Sequence, residues 1–409
     1  MAETPATLRM LPAARIVGFI ADAAERWRDA DFAPRVRVTR AIRERLGYSE
    51  PVVDYALDRL FGGITRSALA AAIASELGTV SALDGPVSRS GAPSAWAHRA
   101  GRAVIVSSDT TIGVALVPLL FALCAKCDVI VKDRADALAA AFLATLAEEH
   151  PAFAAAARAE AWTGGSDERE DVLYAEADVV VAFGRDDTLR AIRARCGAET
   201  RFVPFGHRAS VGWLDTAACA ALDAPRADAI ARDALLYDGE GCLSLHALFA
   251  EAQGEPLARV AALLAAACER ISLEFPSGTV PPARAAAAAQ SRGLAAFRAA
   301  AGTGAVYRGG DATIVVDPPH DETPPFLPRV LPLRGVTGTA GVLQYCAAHR
   351  LPVQALGVAD ERDPRALELA ERLGAVRIAR FGTMQDPPLA GHHGGIPRIA
   401  DFVRWIDNA

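Results

Sequence analysis

The sequence predicts an α/β protein with mainly parallel sheets, because short β-branched runs alternate with apolar helical segments along most of the chain. The first strand–helix–strand motif consists of a β-branched segment at Val104–Val106, a helix over Ile112–Ala125 and a second β-branched segment at Val129–Lys132. A crossover of that length permits parallel pairing. The chain has 409 residues, of which 52% are hydrophobic and 22% charged, so it can build separate cores. We expect two α/β domains with a boundary near Gly206.

The remaining elements are assigned from the same patterns. Residues up to about Leu77 follow a helical period. Further helices are predicted at Ala137–Glu149, Thr188–Cys196, Pro225–Tyr237, Pro256–Ile271, Pro281–Ala301, Thr339–His349 and Arg365–Leu373. Further strands are predicted at Ala177–Phe183, Arg201–Pro204, Leu245–Ala250, Val330–Leu333, Val353–Val358 and Val376–Ala379. Asp186 and Asp187 are expected to cap the helix that follows them. The Pro-rich stretch Asp317–Pro328 is expected to be a surface loop, because each proline removes a backbone donor.

Composition and charge exclude several functional classes. Lys and Arg number 43 against 49 Asp and Glu, which gives a formal charge of -6 and no basic surface for a nucleic acid. The longest uncharged stretch, Thr110–Ala125, has 16 residues and contains Pro118, whereas a membrane-spanning helix needs about 20. The apolar run near the N-terminus is interrupted by Arg15 and Asp22 and has no cleavage site. We therefore expect a cytoplasmic protein with no membrane span.

The seven cysteines form an odd set, which indicates free thiols rather than a disulfide framework. Cys124 and Cys127 form a CxxC pair inside a continuous apolar passage, so they are expected to pack in the core. Cys242 differs, because it lies in DGEGCLS with a glycine on each side of Glu240, where the backbone can approach a ligand closely. This context suits a nucleophile and equally suits a small apolar residue in a turn.

Several segments together resemble one family of enzymes. They are YDGEGCLS, AFGRDDTLRAI, RFVPFGHRASVGWLD, LGYSEPVVDYALDRLF, ELG at Glu76–Gly78, IVK at Ile130–Lys132, and GAVRIARFGTMQDPPLAGHHGGIPRIADFVRWID. Their order and spacing are similar to those of the LuxC-type fatty-acyl-CoA reductases, in the aldehyde dehydrogenase superfamily. The resemblance implies an aldehyde-dehydrogenase-like fold with two Rossmann-like parallel-sheet domains. It also implies NADPH-dependent reduction of a fatty or similar acyl-CoA to an aldehyde through a transiently acylated cysteine, and Cys242 is the matching position.

The segment around residue 204 favours reduction over hydrolysis. In hydrolytic members of the superfamily a glutamate in a Glu-Leu-Gly-Gly segment activates water, whereas the corresponding stretch here reads Pro204-Phe205-Gly206-His207. Transfer of an acyl group from coenzyme A to a cysteine is nearly isoenergetic, so the enzyme must mainly place the substrate and stabilise an oxyanion. His207 is the expected proton donor or polar neighbour of the site, with a structural histidine after a turn glycine as the alternative.

The oxyanion position departs from the family pattern. The family usually has an Asn after the first strand, in a Gly-Asn-Val-Pro-like run, and this chain has Asp109 near that position. A carboxylate cannot donate a hydrogen bond unless it is protonated, and it repels a developing oxyanion. Three alternatives are open: Ser108 or the N–H of Cys242 supplies the donor, Asp109 points elsewhere, or the activity is impaired.

The resemblance places the cofactor residues at strand ends of the first domain. They are Ser108, Lys132, Arg134, Gly184 and Arg185. Lys132 matches the lysine that bonds the adenosine ribose, and a solvated strand-end lysine is the alternative. Arg134 could meet a 2′-phosphate, whereas Asp133 and Asp136 could accept from a 2′-hydroxyl, so NADPH is expected mainly from the resemblance, with NADH as the alternative. The turn at Gly184 precedes a helix N-terminus, which suits the anionic part of the cofactor.

The resemblance also implies a domain organisation and partners. Residues 1–206 would form N-terminal helices and the nicotinamide cofactor domain, 207–381 the catalytic domain, and 382–409 a segment that returns to the cofactor domain or a subunit interface. A homodimer or homotetramer is expected, with acyl-CoA as substrate and an acyl-transferring or synthetase protein as partner. His392 and His393 are not expected to bind a metal, because no further ligand stands at metal spacing. A cysteine-dependent acyltransferase or thioesterase without hydride transfer, and a non-catalytic family member, are the alternative functions.

Overall fold

Helices and strands alternate along the computed structural model of the chain, which describes residues 7–89, 91–108, 111–134, 136–164, 168–316 and 326–408. In chain order the α-helices are α1 (Ala13–Arg26), α2 (Ala33–Leu46), α3 (Glu50–Gly63), α4 (Arg66–Leu77), α5 (Leu116–Cys124), α6 (Leu138–Glu149), α7 (Ala152–Ala156), α8 (Glu168–Ala175), α9 (Asp186–Arg193), α10 (Thr216–Ala220), α11 (Ala224–Leu235), α12 (Gly254–Glu274), α13 (Pro282–Ala300), α14 (Thr339–Ala348) and α15 (Pro364–Leu373).

The strands belong to three sheets. In chain order they are β1 (Val87–Arg89), β2 (Ala92–Arg99), β3 (Arg102–Val106), β4 (Asp128–Lys132), β5 (Ala157–Glu160), β6 (Val179–Phe183), β7 (Arg201–Phe205), β8 (Ala209–Leu214), β9 (Leu245–Ala250), β10 (Ala305–Gly309), β11 (Ala312–Val316), β12 (Val330–Gly335), β13 (Val353–Val358), β14 (Arg377–Arg380) and β15 (Val403–Asn408). The chain divides into two compact units, which are described separately: unit 1 takes its residues from 1–46, 53–206 and 388–409, and unit 2 from 47–52 and 207–387.

A five-stranded parallel sheet lies at the centre of unit 1, in the order β5-β4-β3-β6-β7. Every residue of β6 is buried, as is usual for a parallel strand covered on both faces. Leu173 of α8 and Leu189 of α9 pack against one face of this sheet, together with Val104 and Val180. Because β4, β3 and β6 are neighbours and run parallel, their carboxyl ends lie side by side at one edge.

A three-stranded antiparallel sheet, β1-β2-β15, brings the end of the chain into unit 1. The Glu76 carboxylate at the end of α4 accepts hydrogen bonds from the backbone N–H groups of Arg398 (2.6 Å), Ile399 (2.9 Å) and Ala400 (2.9 Å). These bonds fix the segment before β15 against the helical N-terminal part of the same unit.

A seven-stranded sheet lies at the centre of unit 2, in the order β10-β11-β12-β9-β8-β13-β14. The pair β10 and β11 is antiparallel, and the other neighbouring strands are parallel. Val211, Phe249 and Leu356 pack on one face with residues of α14 and α15. Ser210 is in register with Leu245 on one side and with Ala355 on the other. The amino ends of β8, β9 and β13 therefore lie side by side.

The predicted α/β fold with mainly parallel sheets is confirmed, and β9 and β13 have the predicted bounds. The helix expected over Ile112–Ala125 is too long, because it begins only at Leu116. Gly113 has a φ of 66° and cannot belong to a helix. A Cβ at Gly113 would also lie 2.6 Å from the side chain of Leu60.

The prediction that Asp186 and Asp187 cap a helix is wrong. Arg185 is the N-cap residue of α9 and makes no side-chain capping bond, and both aspartates lie in the first helical turn. There they still favour the helix, because a carboxylate is stabilised near the positive end of the helix dipole.

The predictions for Asp109 and for most of the Pro-rich stretch lie outside the described residues. Phe326–Pro328, the described end of that stretch, forms no helix or strand, as predicted. Within the described ranges, no helix has both the length and the apolar composition that crossing a membrane requires.

Candidate active site

Cys242 lies just before the amino end of β9, in unit 2. Its carbonyl oxygen accepts a hydrogen bond from Ser210 Oγ of the neighbouring strand β8 (2.8 Å). Gln354, which is buried near the amino end of β13, contributes a side-chain hydrogen bond to the thiol. Residues from two strands of the sheet, β8 and β13, thus bond to this cysteine.

The turn before Cys242 has a strained backbone. Tyr237, Asp238 and Gly239 have φ values of 57°, 53° and 74°, three consecutive residues in the left-handed region. A residue with a side chain costs about 1 to 3 kcal/mol in such a conformation. A Cβ at Gly239 would lie 2.9 Å from the carbonyl oxygen of Ala234, so the turn requires glycine there.

A buried ion pair holds this turn in place. Arg329 Nε donates to Asp238 Oδ1 (2.8 Å), and the backbone N–H of Arg329 donates to the Asp238 carbonyl oxygen (3.1 Å). The N–H of Gly278 donates to Asp238 Oδ2 (3.2 Å). Arg329 also donates to Asp311 and to the carbonyl oxygen of Phe275, each at 2.6 Å. Arg329 and Asp238 are both buried, so solvent screens their attraction little.

Ser244 and Gln385 anchor the residues on either side of Cys242. The N–H of Gly241 donates to Ser244 Oγ (3.1 Å), and Gln385 Nε2 donates to the same oxygen (2.7 Å). The Ser244 hydroxyl donates in turn to the carbonyl oxygen of Leu236 (3.4 Å). One hydroxyl therefore connects the start of the turn, the nucleophile segment and the segment at residue 385.

Asp233 fixes the segment that carries Gln385. Its carboxylate accepts hydrogen bonds from the N–H groups of Gly382 (2.6 Å) and Met384 (3.2 Å). Burial raises the pKa of Asp233 to about 7, although both of these backbone donors lower it. A carboxyl group with a pKa near neutrality is therefore connected to the Cys242 segment through Gln385 and Ser244.

The Cys242 thiol differs from the buried thiols of Cys124 and Cys346 in having hydrogen-bond donors. Burial raises the pKa of Cys242, and the backbone N–H groups of Cys242 and Leu243 and the side chain of Gln354 lower it. For Cys124 and Cys346, burial raises the pKa to about 12. Donors directed at a sulfur stabilise its thiolate, which is the nucleophilic form. All seven cysteines are free, and Cys124 and Cys127 are buried as predicted.

Two histidines flank the ring of Phe326. The ring centroids of His207 and Phe326 are 4.7 Å apart, and those of His246 and Phe326 are 4.5 Å apart. His207 is exposed just before β8, whereas His246 is buried in β9 and accepts the N–H of Ser210 at Nδ1 (3.0 Å). The structure thus places the predicted His207 in the same unit as Cys242 and adds His246.

The acidic residue nearest to Cys242 in the sequence is engaged by a cation. Arg284 donates to Glu240 Oε1 from Nε (2.9 Å) and from one terminal nitrogen (2.6 Å). The Glu240 carboxylate is therefore already bound to a guanidinium group.

In unit 1, Lys132 is paired with a buried carboxylate at the end of β4. Its Nζ lies 2.5 Å from Glu170 Oε1, and both side chains are almost fully buried. The same carboxylate accepts from Trp162 Nε1 (2.8 Å) and from Arg195 (2.8 Å). A Cβ at Gly164 would lie 2.5 Å from Lys132 Nζ, so a larger residue there would displace the ammonium group. Lys132 is thus not the solvated lysine of the alternative interpretation.

The charged residues that follow Lys132 each have a partner within unit 1. Arg134 donates to the carbonyl oxygen of Ser107 at the end of β3. Asp133 is buried and accepts the N–H of Ala140 (3.1 Å), and burial raises its pKa. The carboxylate of Asp136 is ion-paired with Arg45. These two aspartates are already engaged, which leaves them less suited to a 2′-hydroxyl.

Ser108, Gly184 and Arg185 lie at the same edge of the sheet. Ser108 Oγ accepts the N–H of Thr111 (3.3 Å) just after β3. Gly184 follows β6, and its N–H donates to the Phe205 carbonyl oxygen (3.2 Å). Because the ends of β4, β3 and β6 are adjacent, the predicted cofactor residues within the described part of unit 1 are brought to one edge.

His393 packs on aromatic rings in unit 1. Its ring is stacked on Phe205, with centroids 4.3 Å apart, and lies 5.6 Å from the ring of Phe183. Burial, together with the charge of Arg398, lowers the pKa of His393 to about 4. The described residues contain no group of three or more His, Cys, Asp and Glu side chains that could hold a metal ion.

Comparison with a model of the acyl-CoA reductase (LuxC) family matches residues 8–405. The chain belongs to the acyl-CoA reductase (LuxC) family. As a member of this family, it is an oxidoreductase that acts on acyl or aldehyde groups, and the family resemblance of the sequence is confirmed. No curated protein matches the chain significantly.

Several solved structures similar to this chain are aldehyde dehydrogenases. An NAD-dependent benzaldehyde dehydrogenase from Corynebacterium glutamicum has a TM-score of 0.70 at 16% identity, covering 98% of this chain and 86% of that chain. Aldehyde dehydrogenase 21 from Physcomitrella patens has a TM-score of 0.72 at 12% identity, covering 98% of this chain and 86% of that chain. Glyceraldehyde-3-phosphate dehydrogenase GapN from Methanocaldococcus jannaschii, complexed with NADP, has a TM-score of 0.70 at 10% identity, covering 98% of this chain and 90% of that chain. The predicted aldehyde-dehydrogenase-like fold of the acyl-CoA reductase is therefore confirmed.

The sequence did not reveal every residue of the candidate site. Ser210 and Gln354 reach the Cys242 segment from strands that are distant along the chain, and His246, close to Cys242 in the sequence, accepts the N–H of Ser210. The one available signal was the presence of a histidine and a glutamine in otherwise apolar strands, LHALFA and VQALGV. Buried polar side chains in such strands need a hydrogen-bond partner, so they are candidates for a role in the site.

Proposed function

We propose that this protein reduces a fatty or similar acyl-CoA to the aldehyde with NADPH, through an acyl-cysteine at Cys242. The observation that carries the proposal is the set of donors around the Cys242 sulfur, formed by two backbone N–H groups and the side chain of Gln354. Family membership supports the acyl or aldehyde substrate. The solved dehydrogenase with NADP supports a nicotinamide cofactor.

In the first half-reaction, the Cys242 sulfur attacks the thioester carbonyl carbon. A new carbon–sulfur bond forms, the bond to the coenzyme A sulfur breaks, and coenzyme A leaves as a thiolate that takes up a proton. Burial raises the pKa of the Cys242 thiol, and the backbone N–H groups at Cys242 and Leu243 counter this by stabilising the attacking thiolate. After reduction, collapse of the thiohemiacetal breaks the bond to Cys242, releases the aldehyde and returns the thiolate.

The described residues of unit 1 fit a dinucleotide. NADPH, when bound, supplies the hydride that reduces the acyl carbon. An ammonium group has three donors, and Glu170 holds Lys132 in a buried position that Gly164 leaves open. We propose that Lys132 binds a ribose hydroxyl, that Arg134 binds the 2′-phosphate, and that Ser108, Gly184 and Arg185 line the same edge.

The acyl-enzyme is protected from hydrolysis because other residues occupy the position of the water-activating glutamate. The stretch Pro204-Phe205-Gly206-His207 has no carboxylate at the position of the water-activating glutamate. Glu240, two residues before Cys242, is held by Arg284. His207 is proposed as the proton donor to the thiohemiacetal oxygen, since an imidazole can donate near neutral pH.

The test is a reaction of the purified chain with palmitoyl-CoA or octanoyl-CoA and NADPH. NADPH oxidation should match aldehyde formation and coenzyme A release, and Cys242→Ser should lower the rate by at least about a thousandfold. Cys219→Ser, which changes a buried thiol elsewhere in unit 2, should leave the rate unchanged. Absence of NADPH oxidation and aldehyde with both substrates contradicts the proposal. Coenzyme A release that does not depend on NADPH would instead indicate an acyltransferase or thioesterase.

A further inference from the structure

His246 is a buried histidine with a defined tautomer. It is 3% exposed and is the second residue of the apolar strand β9, near the amino end of that strand. Its Nδ1 accepts the N–H of Ser210 at 3.0 Å. Burial, together with the charge of His207, lowers the pKa of His246 to about 3, so the ring is neutral at physiological pH. A neutral imidazole that accepts at Nδ1 carries its proton on Nε2.

The Nε2 donor of His246 has no hydrogen-bond partner among the described residues. The nearby ring of Phe326, with its centroid 4.5 Å from that of His246, offers at most a weak N–H to π contact. A buried donor without an acceptor costs about 1 to 3 kcal/mol. A buried donor without a partner calls for an explanation, and beside a nucleophile a bound substrate that supplies the acceptor is one.

The position of His246 connects it to the nucleophile. Ser210 donates its N–H to His246 and its hydroxyl to the Cys242 carbonyl oxygen. Gln354, which reaches the thiol, lies on β13 on the other side of β8. Gln354, Ser210 and His246 therefore form a row across three adjacent strands at the end of the sheet where Cys242 lies.

Attack of a thiolate on a thioester places a negative charge on the carbonyl oxygen, which needs hydrogen-bond donors already in place. The family resemblance implies an Asn side chain for this purpose, and this chain has Asp109 near that position. A carboxylate accepts and does not donate unless it is protonated. A donor other than an ionised Asp109 is therefore needed.

We propose that His246 donates a hydrogen bond from Nε2 to the carbonyl oxygen of the acyl group on Cys242. This inference rests on the proposed function. The neutral imidazole acts as a fixed donor and does not transfer its proton, so it stabilises the oxyanion both when coenzyme A leaves and when hydride arrives. His246 is thereby assigned as a catalytic residue beside Cys242.

Three variants test the assignment. His246→Leu removes the donor, His246→Gln keeps an N–H near Nε2, and His349→Leu is the control, because His349 packs on Tyr345 elsewhere in unit 2. Acylation is measured as the single-turnover release of coenzyme A from palmitoyl-CoA without NADPH. Alkylation of Cys242 by iodoacetamide, which forms no oxyanion, reports the fold and the thiolate separately.

We expect His246→Leu to slow acylation about a hundredfold, with alkylation unchanged. His246→Gln should recover most of the rate, and His349→Leu should equal the wild type. The assignment is overturned if His246→Leu acylates at the wild-type rate, or if alkylation falls in parallel with acylation. A wild-type chain that neither acylates nor oxidises NADPH defeats the proposed function itself, whereas an active wild type with an unaffected His246→Leu defeats only this inference.

Discussion

Gln354 is a single residue with a direct effect on the nucleophile. Its side chain is one of the donors that lower the pKa of Cys242. Replacing Gln354 by Leu should raise this pKa and slow alkylation of Cys242 by iodoacetamide at pH 7.5 about three- to tenfold, because less thiolate is present. The pH dependence of alkylation should shift to higher pH.

A matched control is Gln344→Leu, since Gln344 is exposed on α14. It should react at the wild-type rate. Equal alkylation of Gln354→Leu and the wild type across the pH range would show that the amide does not stabilise the thiolate.

Asp233 should make the stability of the protein depend on pH near neutrality. Burial raises its pKa from 3.8 to about 7 in the folded state, so the folded state holds a proton that the unfolded state loses near pH 4. The stability from this group is fully present below about pH 4 and is lost as the pH rises through 7. Asp233→Asn cannot ionise and should lack this loss.

The measurement is urea unfolding at pH 5 and pH 8. Asn keeps one acceptor for the N–H groups of Gly382 and Met384, so the variant should be less stable than the wild type at pH 5. The difference should shrink or reverse at pH 8. A constant difference at both pH values would mean that Asp233 titrates well below 7.

Some site residues could be found in the sequence and others could not. Cys242 was visible because its two glycines are local features of the chain. Ser210 and Gln354 lie on strands that are brought close to β9 only in the folded sheet, and strand order is not written in local residue patterns. The pairing of Lys132 with Glu170 was likewise hidden by their separation of 38 positions along the chain.

At the scale of elements, the left-handed turn at Tyr237–Gly239 depends on the buried pair of Arg329 and Asp238. Arg329→Met should lower the free energy of unfolding by about 3 to 5 kcal/mol, because Asp238 would keep a buried charge without its partner. Adding Asp238→Asn should recover part of this loss. The readout is chemical denaturation, together with the rate of Cys242 alkylation.

The exposed pair Arg226 and Asp223 provides the control, because solvent surrounds both side chains. Arg226→Met should cost less than about 1 kcal/mol. A loss for Arg329→Met no larger than that of the control would show that the turn does not need the buried pair.

Most elements of the second half were predicted because their apolar runs are continuous, but β8 was missed. Its run ASVGWL contains Gly212, and glycine weakens the strand pattern. In the structure a Cβ at Gly212 would lie 2.8 Å from the side chains of Leu245 and Phe381. The residue that conceals the strand in the sequence is thus the one that close packing requires.

At the scale of the whole molecule, the C-terminal segment stabilises unit 1 through Glu76. Its carboxylate receives three backbone N–H groups from residues 398–400, and bonds to a charged acceptor contribute about 1.5 to 3 kcal/mol. Glu76→Ala should lower the free energy of unfolding by about 2 kcal/mol or more. Glu199→Ala, at an exposed site, should change it by less than about 0.5 kcal/mol, and an equal effect of the two would remove the assigned role.

The homodimer or homotetramer stays a prediction. Strand β15 lies at the edge of its sheet, with Trp405 39% and Ile406 45% exposed. Exposed apolar side chains on an edge strand favour pairing with another chain. We expect light scattering to give a dimer or tetramer, and Trp405→Lys to shift it towards monomer. A wild-type mass equal to one chain would contradict the prediction.

The discontinuous path of unit 1 has a consequence for folding during synthesis. Its segment from residue 388 onwards contains β15 and the partners of Glu76, and a ribosome makes these residues after all of unit 2. Unit 2 uses residues 47–52 and 207–387, so its sequence is complete earlier. Domains generally fold as units. Unit 1, although most of it is translated first, can therefore complete its fold only after unit 2 has been made.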